Sequence, residues 1–341
     1  MDFCFGFSPL KRQRLQDFIG ACVTPIHPWT GSLPAQARVF VWGARDLPAR
    51  LAHCGARVVR VEDGFLRSVG LGAAFAPPVS WAFDTQGLHH WGHSASDLET
   101  LLQSTTFSAA QRADGQRLIE TLRRHKLSKY NLTTSVKWPQ LQRMRAFNGR
   151  KVLVIGQVAD DAALQGIQTP TRTNLQLLAQ VRNMHPTAFI AYKRHPDVTA
   201  GLRAGNDAQA LAHADAVMEG VSMHDALSWV DEVHVLNSLS GFEALIAGKL
   251  VVCHAQPFYC GWGLTQDRNP CTRRTRRLDL AELVYAALAL YPAYINPESG
   301  ARMDVFAAID YLTHLRQQPT SRSSGLWLGR LYGFLRRLTL A

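Results

Sequence analysis

The sequence lacks the signatures of a metal-binding, secreted or membrane-spanning protein. Its 6 cysteines include no CxxC pair and no cysteine–histidine spacing typical of zinc sites. No apolar run reaches the length of about 18 residues that a membrane-spanning helix needs. Residues 1–10 form too short an apolar region for a signal peptide, and basic residues follow them. We therefore expect reduced cysteines, no bound metal, no signal peptide and no spanning segment.

Three common nucleotide and hydrolase motifs are also absent. The G-x-G-x-x-G loop that binds dinucleotides does not occur at the first turn of either predicted domain, which disfavours NAD. A Walker A loop is missing, so ATP hydrolysis of the P-loop type is not expected. The sequence has no G-x-S-x-G elbow, which disfavours a serine hydrolase of that fold.

Acidic residues are few compared with basic ones. The chain has 37 Lys and Arg against 26 Asp and Glu, a formal net charge of +11. This excess favours an anionic partner such as nucleic acid, anionic lipid or a phosphorylated small molecule. Nucleic acid is not expected, because aromatic and basic residues do not interleave and no nucleic-acid-binding motif occurs.

The length and the hydrophobic pattern predict two α/β domains. The chain has 341 residues, 47% of them hydrophobic, which is enough for two cores. Residues 233–236 and 250–253 read as strands, and a turn at 237–241 and a helix at 242–247 lie between them. Similar patterns recur over residues 35–130 and 150–290, so we predict two doubly wound domains facing a cleft.

The turn before the predicted helix at 242–247 has two interpretations. Ser240 and Glu243 have the spacing of a capping box, so Glu243 would bond back to the backbone of a well-capped helix. Alternatively, the hydroxyl-rich turn lies at a helix N-terminus, where unpaired N–H groups suit a phosphate.

Charged residues follow several predicted strands, where side chains line the cleft of such folds. Glu62 and Asp63 follow one strand and Asp160 and Asp161 another, while His195 lies in a basic segment after a third. Carboxylates supply a base or a nucleophile, and the basic segment supplies groups for a phosphate. This set fits transfer from a nucleotide-activated donor without a metal. For the Glu62–Asp63 pair, a solvated acidic turn is an equally good interpretation.

Six short motifs occur together in a fixed order. They are 62–72 (EDGFLRSVGLG), 127–131 (LSKYN), 157–161 (QVADD), 195–198 (HPDV), 240–245 (SGFEAL) and 257–264 (PFYCGWGL). In this combination the chain resembles the bacterial capsule polysaccharide β-Kdo transferases of the KpsC type, over roughly residues 38–315. A typical KpsC has two transferase modules, and this chain has the length of one. The resemblance implies a GT-B glycosyltransferase fold, two Rossmann-like domains facing a cleft.

The resemblance also implies an activity and a set of site residues. The donor substrate would be CMP-Kdo, with no cofactor and no metal, and transfer to a glycolipid or polysaccharide acceptor would retain the anomeric configuration. Asp161 would be the nucleophile, with Asp160 as the alternative, and Glu62 and Asp63 would act as acid or base. The remaining site residues would bind the CMP nucleotide (Lys193, His195, Pro196, Ser238, Leu239, Ser240, Gly241 and the ribose ligand Glu243) or the acceptor (Arg67, Arg276 and Arg277).

We divide the chain into an acceptor-side domain (1–148), a CMP-binding domain (149–295), a helix that packs back on the core (296–318) and a basic tail (319–341). The tail combines Trp327 and Phe334 with arginines and has no acidic residue, which favours a helix at a membrane surface. A partner-binding helix and a helix packed on its own domain are the alternatives. We thus expect a cytoplasmic enzyme, peripheral to the inner membrane, with capsule assembly and export proteins as further partners.

Two other functions compete with this one. A transferase of the same fold could use another CMP-activated nonulosonic acid, such as sialic acid, and donor hydrolysis assays with each CMP-sugar separate the two. A non-catalytic module of the capsule export machinery is the alternative from another class. The presence of Asp161, His195 and Glu243 together argues against it.

Overall fold

The computed structural model describes residues 1–318, apart from residues 28, 53, 73–75, 133–137 and 165–168. The basic tail predicted at 319–341 lies outside the described residues. Two separate β-sheets, of seven and six strands, organise the chain. No helix among the described residues is long and apolar enough to cross a membrane.

The second sheet is entirely parallel. Its order is β11-β10-β9-β6-β7-β8, and its strands are β6 (Lys151–Ile155), β7 (Phe189–Lys193), β8 (Ala216–Met218), β9 (Glu232–Val235), β10 (Leu250–Cys253) and β11 (Gln266–Asp267). The central strands are buried on both faces, which explains their nearly continuous apolar sequences. The strand–helix–strand unit predicted at 233–253 is confirmed.

The first sheet is mixed and includes strands from both ends of the described chain. Its order is β13-β12-β5-β4-β3-β1-β2, and its strands are β1 (Asp2–Phe5), β2 (Thr24–Pro25), β3 (Arg38–Trp42), β4 (Arg57–Asp63), β5 (Ser80–Asp84), β12 (Pro292–Ile295) and β13 (Arg302–Met303). β1 to β4 run parallel, whereas β5 pairs antiparallel to β4. Because β12 pairs with β5, the chain returns to the first sheet before the boundary drawn at residue 295.

Helices cover both sheets and join the two halves of the chain. They are α1 (Pro9–Ile19), α2 (Ala49–Ala52), α3 (Asp97–Ser104), α4 (Ala109–His125), α5 (Leu141–Ala146), α6 (Asn174–Met184), α7 (Pro196–Thr199), α8 (Met223–Ser228), α9 (Ser240–Ile246), α10 (Leu280–Tyr285) and α11 (Val305–Gln317). α4 packs extensively on α10 and also contacts α9 and α11. One large core therefore runs through both halves.

The capping box predicted for α9 is wrong. The residue before the helix is Leu239, which is itself helical and offers no side-chain cap. Glu243 accepts a hydrogen bond from the backbone N of Lys129, 2.8 Å away in another part of the chain. Gly241 lies against the Tyr259 ring, where a Cβ atom would come 2.1 Å from the Tyr259 hydroxyl. A tertiary hydrogen bond thus takes the place of the predicted bond from Glu243 to the backbone of its own helix.

Candidate active site

A cleft of about 1470 Å³ opens between the two sheets. It exceeds the roughly 300–1000 Å³ of a typical small-molecule site, so it can hold two substrates together. Most of the side chains predicted from the sequence line it, namely Glu62, Asp63, Arg67, Asp160, Asp161, Lys193, His195, Pro196, Ser238, Leu239, Ser240 and Glu243. The structure therefore brings the residues after the three predicted strands together with the turn that precedes α9.

Three predicted residues are not among those that line the cleft. Gly241 is buried below its surface, against Tyr259. Arg276 donates a hydrogen bond to the carbonyl oxygen of Thr105, and Arg277 is exposed elsewhere. The two arginines thus lie outside the described lining of this cleft, and their role in acceptor binding stays a prediction.

The two neighbouring aspartates of the second domain have different surroundings. The Asp161 carboxylate accepts hydrogen bonds from Gln157 Nε2 at 3.1 Å and from the backbone N of Ala163 at 3.0 Å. The Asp160 side chain is 54% exposed and forms an ion pair with Arg203 at 2.5 Å. Asp161 is thus oriented by two fixed donors, whereas Asp160 carries a cation of its own.

His195 is held in one tautomer. It precedes α7, and its Nδ1 accepts a hydrogen bond from the backbone N of Asp197 at 3.1 Å. The neutral ring therefore carries its proton on Nε2. Burial lowers the pKa of His195, although Asp197 and Asp161 oppose this effect. A neutral donor in this position suits an anionic oxygen.

Lys193 and Glu243 lie deeper in the same wall. The Lys193 ammonium donates a hydrogen bond to the carbonyl oxygen of Val221. Burial lowers the pKa of Lys193 to about 8, against the opposing effect of Glu243. Burial also raises the pKa of Glu243, against its hydrogen bond from Lys129 N. At the entrance to this region the Ser238 hydroxyl accepts a hydrogen bond from Ser240 N at 3.2 Å.

The opposite wall of the cleft contains two carboxylates, Glu62 and Asp63, whose pKa values are shifted in opposite directions. Burial and then the adjacent Asp63 raise the pKa of Glu62. Burial would also raise the pKa of Asp63, but Arg67, Lys129 and Lys11 outweigh it and the pKa is lowered. Arg67 lies 2.7 Å from Asp63 and also donates to Ser68 and to the carbonyl oxygen of Ala76. Such a pair suits separate acid and base roles, with Arg67 positioning Asp63.

Sequence reasoning missed two residues of the cleft. Opposing effects act on the pKa of Lys129. Burial lowers it, but Tyr130, Asp63 and Glu62 together raise it above the usual range. His90 has a buried Nε2 without a hydrogen-bond partner among the described residues, and burial lowers its pKa to about 4 against the opposing effect of Asp161. The LSKYN motif at 127–131 contains Lys129 and could have indicated it. Nothing in the local sequence singles out His90.

Comparison with known proteins assigns the chain to a family. A sequence model described as "Capsule polysaccharide biosynthesis protein" matches residues 38–296. The chain belongs to this family. Among curated relatives, the capsule polysaccharide modification protein LipA of Neisseria meningitidis serogroup B is 35% identical over 94% of the chain and 46% of its own length. The lipopolysaccharide-processing protein LpsZ of Rhizobium meliloti is 37% identical over 89% of the chain and 72% of its own length. The chain thus spans about half the length of LipA.

Two solved structures of KpsC from Thermosulfurimonas dismutans resemble this chain along almost its whole length. The one titled beta Kdo 2,7 transferase has a TM-score of 0.74 and 33% identity, and it covers 93% of this chain and 99% of its own. The one titled beta Kdo 2,4 transferase has a TM-score of 0.78 and 32% identity, with 91% and 97% covered. The predicted resemblance to KpsC and the GT-B type of fold are both confirmed.

Proposed function

We propose that this protein is a retaining β-Kdo transferase that uses CMP-Kdo as donor and adds Kdo to a glycolipid or polysaccharide acceptor. One observation carries the proposal: Asp161, oriented by Gln157, shares a cleft with His195 on its own wall and with Glu62 and Asp63 on the other. A nucleophile, a phosphate donor group and a second pair of carboxylates are the parts that a two-step transfer requires.

In the first step a carboxylate oxygen of Asp161 attacks the anomeric carbon of Kdo. The bond from that carbon to the CMP phosphate oxygen breaks, and its electron pair leaves with CMP. His195 Nε2–H donates to the leaving phosphate, since its Nδ1 is already engaged by Asp197 N. Lys193 and the Ser238 and Ser240 hydroxyls lie along the same wall of the cleft and stabilise the charge, in place of a metal ion.

In the second step an acceptor hydroxyl attacks the glycosyl–Asp161 ester. Its oxygen forms a bond to the anomeric carbon, the ester bond breaks, and Asp161 is restored as a carboxylate. Glu62 takes the hydroxyl proton, because burial and the neighbouring Asp63 raise its pKa and a base of raised pKa accepts a proton more readily. Two displacements at one carbon retain the anomeric configuration.

The test compares two neighbouring carboxylates. We expect Asp161→Asn to abolish acceptor-dependent release of CMP from CMP-Kdo, with a loss of about 1000-fold or more, as for removal of a catalytic nucleophile. Asp160→Asn should stay within about fivefold of wild type, because Asp160 is half exposed and paired with Arg203. Intact-protein mass spectrometry after incubation with CMP-Kdo alone should show one added Kdo in wild type and none in Asp161→Asn.

Three results would contradict the proposal. An adduct or full turnover in Asp161→Asn would remove Asp161 from the reaction. Turnover of a different CMP-sugar with none of CMP-Kdo would change the donor. If the protein binds no CMP-sugar, a non-catalytic role in capsule assembly is favoured. Parallel measurements of CMP binding by the folded variants separate loss of the donor site from loss of chemistry.

A further inference from the structure

A second cluster of ionisable side chains lies outside the cleft, between the end of α6 and the strand β9 of the second sheet. Glu232 and His234 are two residues apart on β9 and therefore project from the same face. His185 caps the C-terminus of α6 above them. His185 Nε2 and His234 Nε2 lie 3.4 Å and 2.9 Å from the same oxygen, Glu232 Oε1.

A chain of hydrogen bonds leads away from this cluster and determines where its protons lie. Gln180 Oε1 accepts from the Thr171 hydroxyl at 2.8 Å and also lies 2.8 Å from His254 Nδ1. In this orientation of the Gln180 amide its carbonyl oxygen can only accept, so His254 Nδ1 carries a proton and its Nε2 is an acceptor. His234 Nδ1, 2.9 Å from that Nε2, must then be the donor.

This polarity leaves His234 Nε2 with a lone pair when the ring is neutral. The lone pair faces Glu232 Oε1, a carboxylate oxygen, at hydrogen-bond distance. His185 Nε2 also lies buried beside that oxygen without a hydrogen-bond partner among the described residues. Electron-rich atoms in such proximity require a shared cation, which is either a proton or a metal ion.

We propose that His185, Glu232 and His234 bind one zinc ion. Their three ligand atoms all lie within 4.8 Å of one another. Bonds of about 2.0–2.2 Å in a tetrahedral zinc site separate the ligands by about 3.4 Å, and His185 Nε2 lies 3.4 Å from Glu232 Oε1. Imidazole nitrogen is a ligand that zinc prefers, and a carboxylate oxygen serves as well.

The groups around the cluster have the arrangement of outer-shell partners. A zinc-bound histidine donates its other N–H to an acceptor, and His234 does so toward His254. Arg150 engages the second oxygen of Glu232 at 2.7 Å and leaves Oε1 for the ion. The His185 side chain is 15% exposed, so a water molecule can reach the fourth position. The ion would tie the end of α6 to β9, the strand that leads into the Asn237–Ser240 turn of the cleft.

The experiment measures metal content and thermal stability of untagged, full-length protein. Chelator-stripped protein titrated with zinc chloride should bind one equivalent, as measured by mass spectrometry of the metal after gel filtration, and its melting temperature should rise. We expect His185→Gln to weaken zinc binding at least 10-fold, as loss of a ligand does. His93→Gln, which changes an exposed histidine in the other domain, is the matched control.

Two outcomes would overturn the proposal. If wild type binds no zinc in tenfold excess, a proton is the shared cation and His234 is an imidazolium. If zinc binds equally to wild type and to His185→Gln, the ion lies elsewhere. The circular dichroism spectrum of His185→Gln establishes that the variant folds. Neither measurement depends on transferase activity, so the result stands apart from the proposed function.

Discussion

The backbone N of Lys129 donates a 2.8 Å hydrogen bond to Glu243 Oε1. The two residues belong to different halves of the chain, the segment after α4 and the first turn of α9. The carbonyl oxygen of Lys129 in turn accepts from Arg67 N and Ser68 N of the first domain. One short segment thus joins both walls of the cleft, and its position determines how the walls face each other.

Removal of the Glu243 carboxylate should therefore weaken the whole molecule. We expect Glu243→Ala to lower the free energy of unfolding by about 1–3 kcal/mol, because it leaves the Lys129 N–H buried without a partner. Glu243→Gln keeps an acceptor oxygen and should cost less. Urea unfolding of the three proteins measures this, and equal losses in Ala and Gln would show that the hydrogen bond does not stabilise the fold.

The elements with strong local patterns could be predicted from the sequence. β6 and β10 are continuous apolar runs, and α4 has an apolar stripe at helical spacing, so each has a local signature. The short edge strands β2 and β13 have no such signature, and pairing with distant partners creates them. The pairing of β12 with β5 joins residues about 210 positions apart in the chain, and no local pattern records it.

The residues of the candidate site also divide into those that the sequence pattern predicts and those that it does not. Side chains that follow parallel strands, such as Asp161 and His195, could be predicted to meet because strand ends share one edge of a sheet. The partners of Arg273 and Arg274 could not be predicted, because their common carboxylate, Glu99, lies on α3, far away in sequence. His234 lies within the apolar strand β9 and meets His185 only through the packing of α6.

Acidification should destabilise the protein through His90. Burial holds its pKa at about 4 against an ordinary value of 6.5, so the folded state keeps the ring neutral over this range while the unfolded chain binds a proton. Stability therefore falls as the pH falls from about 6.5 to about 4, by up to about 1.4 kcal/mol per pH unit for one proton.

Urea titrations of wild type and His90→Gln across this range test the effect. Glutamine does not titrate, so the free energy of unfolding of the variant should fall less steeply with decreasing pH. The difference in slope should be at most that of one bound proton, about 1.4 kcal/mol per pH unit. His93→Gln removes an exposed histidine from the same loop and is the control. Equal slopes in wild type and His90→Gln would contradict the prediction.

Two arginines after residue 270 should differ in what they contribute to the free energy of unfolding. Arg274 is buried and donates to Glu99 at 2.9 Å and to the carbonyl oxygen of Cys260 at 3.0 Å. Arg274→Ala leaves the buried carbonyl oxygens of Pro257 and Cys260 without this donor, whereas Glu99 keeps its contact with Arg273, so the change should cost about 1–3 kcal/mol. Arg277→Ala changes an exposed side chain and should stay within about 0.5 kcal/mol.

Thermal and urea unfolding measure both variants, and CMP release at several acceptor concentrations gives the acceptor KM. The cleft does not include Arg277 among its described lining residues, so the acceptor KM of Arg277→Ala should equal that of wild type. A large rise in KM with unchanged stability would return Arg277 to acceptor binding and show that part of the acceptor lies outside the cleft.

The basic tail should hold the protein at an anionic membrane. Residues 319–341 combine Trp327 and Phe334 with several arginines and no acidic residue, the composition of a helix at a lipid surface. Deletion of residues 320–341 leaves α11 intact, because that helix ends at Gln317. We expect the truncated protein to lose binding to vesicles of anionic phospholipid and to keep CMP release with a water-soluble acceptor.

A full-length variant with Arg330, Arg336 and Arg337 changed to Gln separates the contribution of charge from that of apolar insertion. Each lost arginine should cost about 1 kcal/mol of vesicle binding at low salt. Vesicle binding that survives the deletion would place the membrane contact on the described part of the chain.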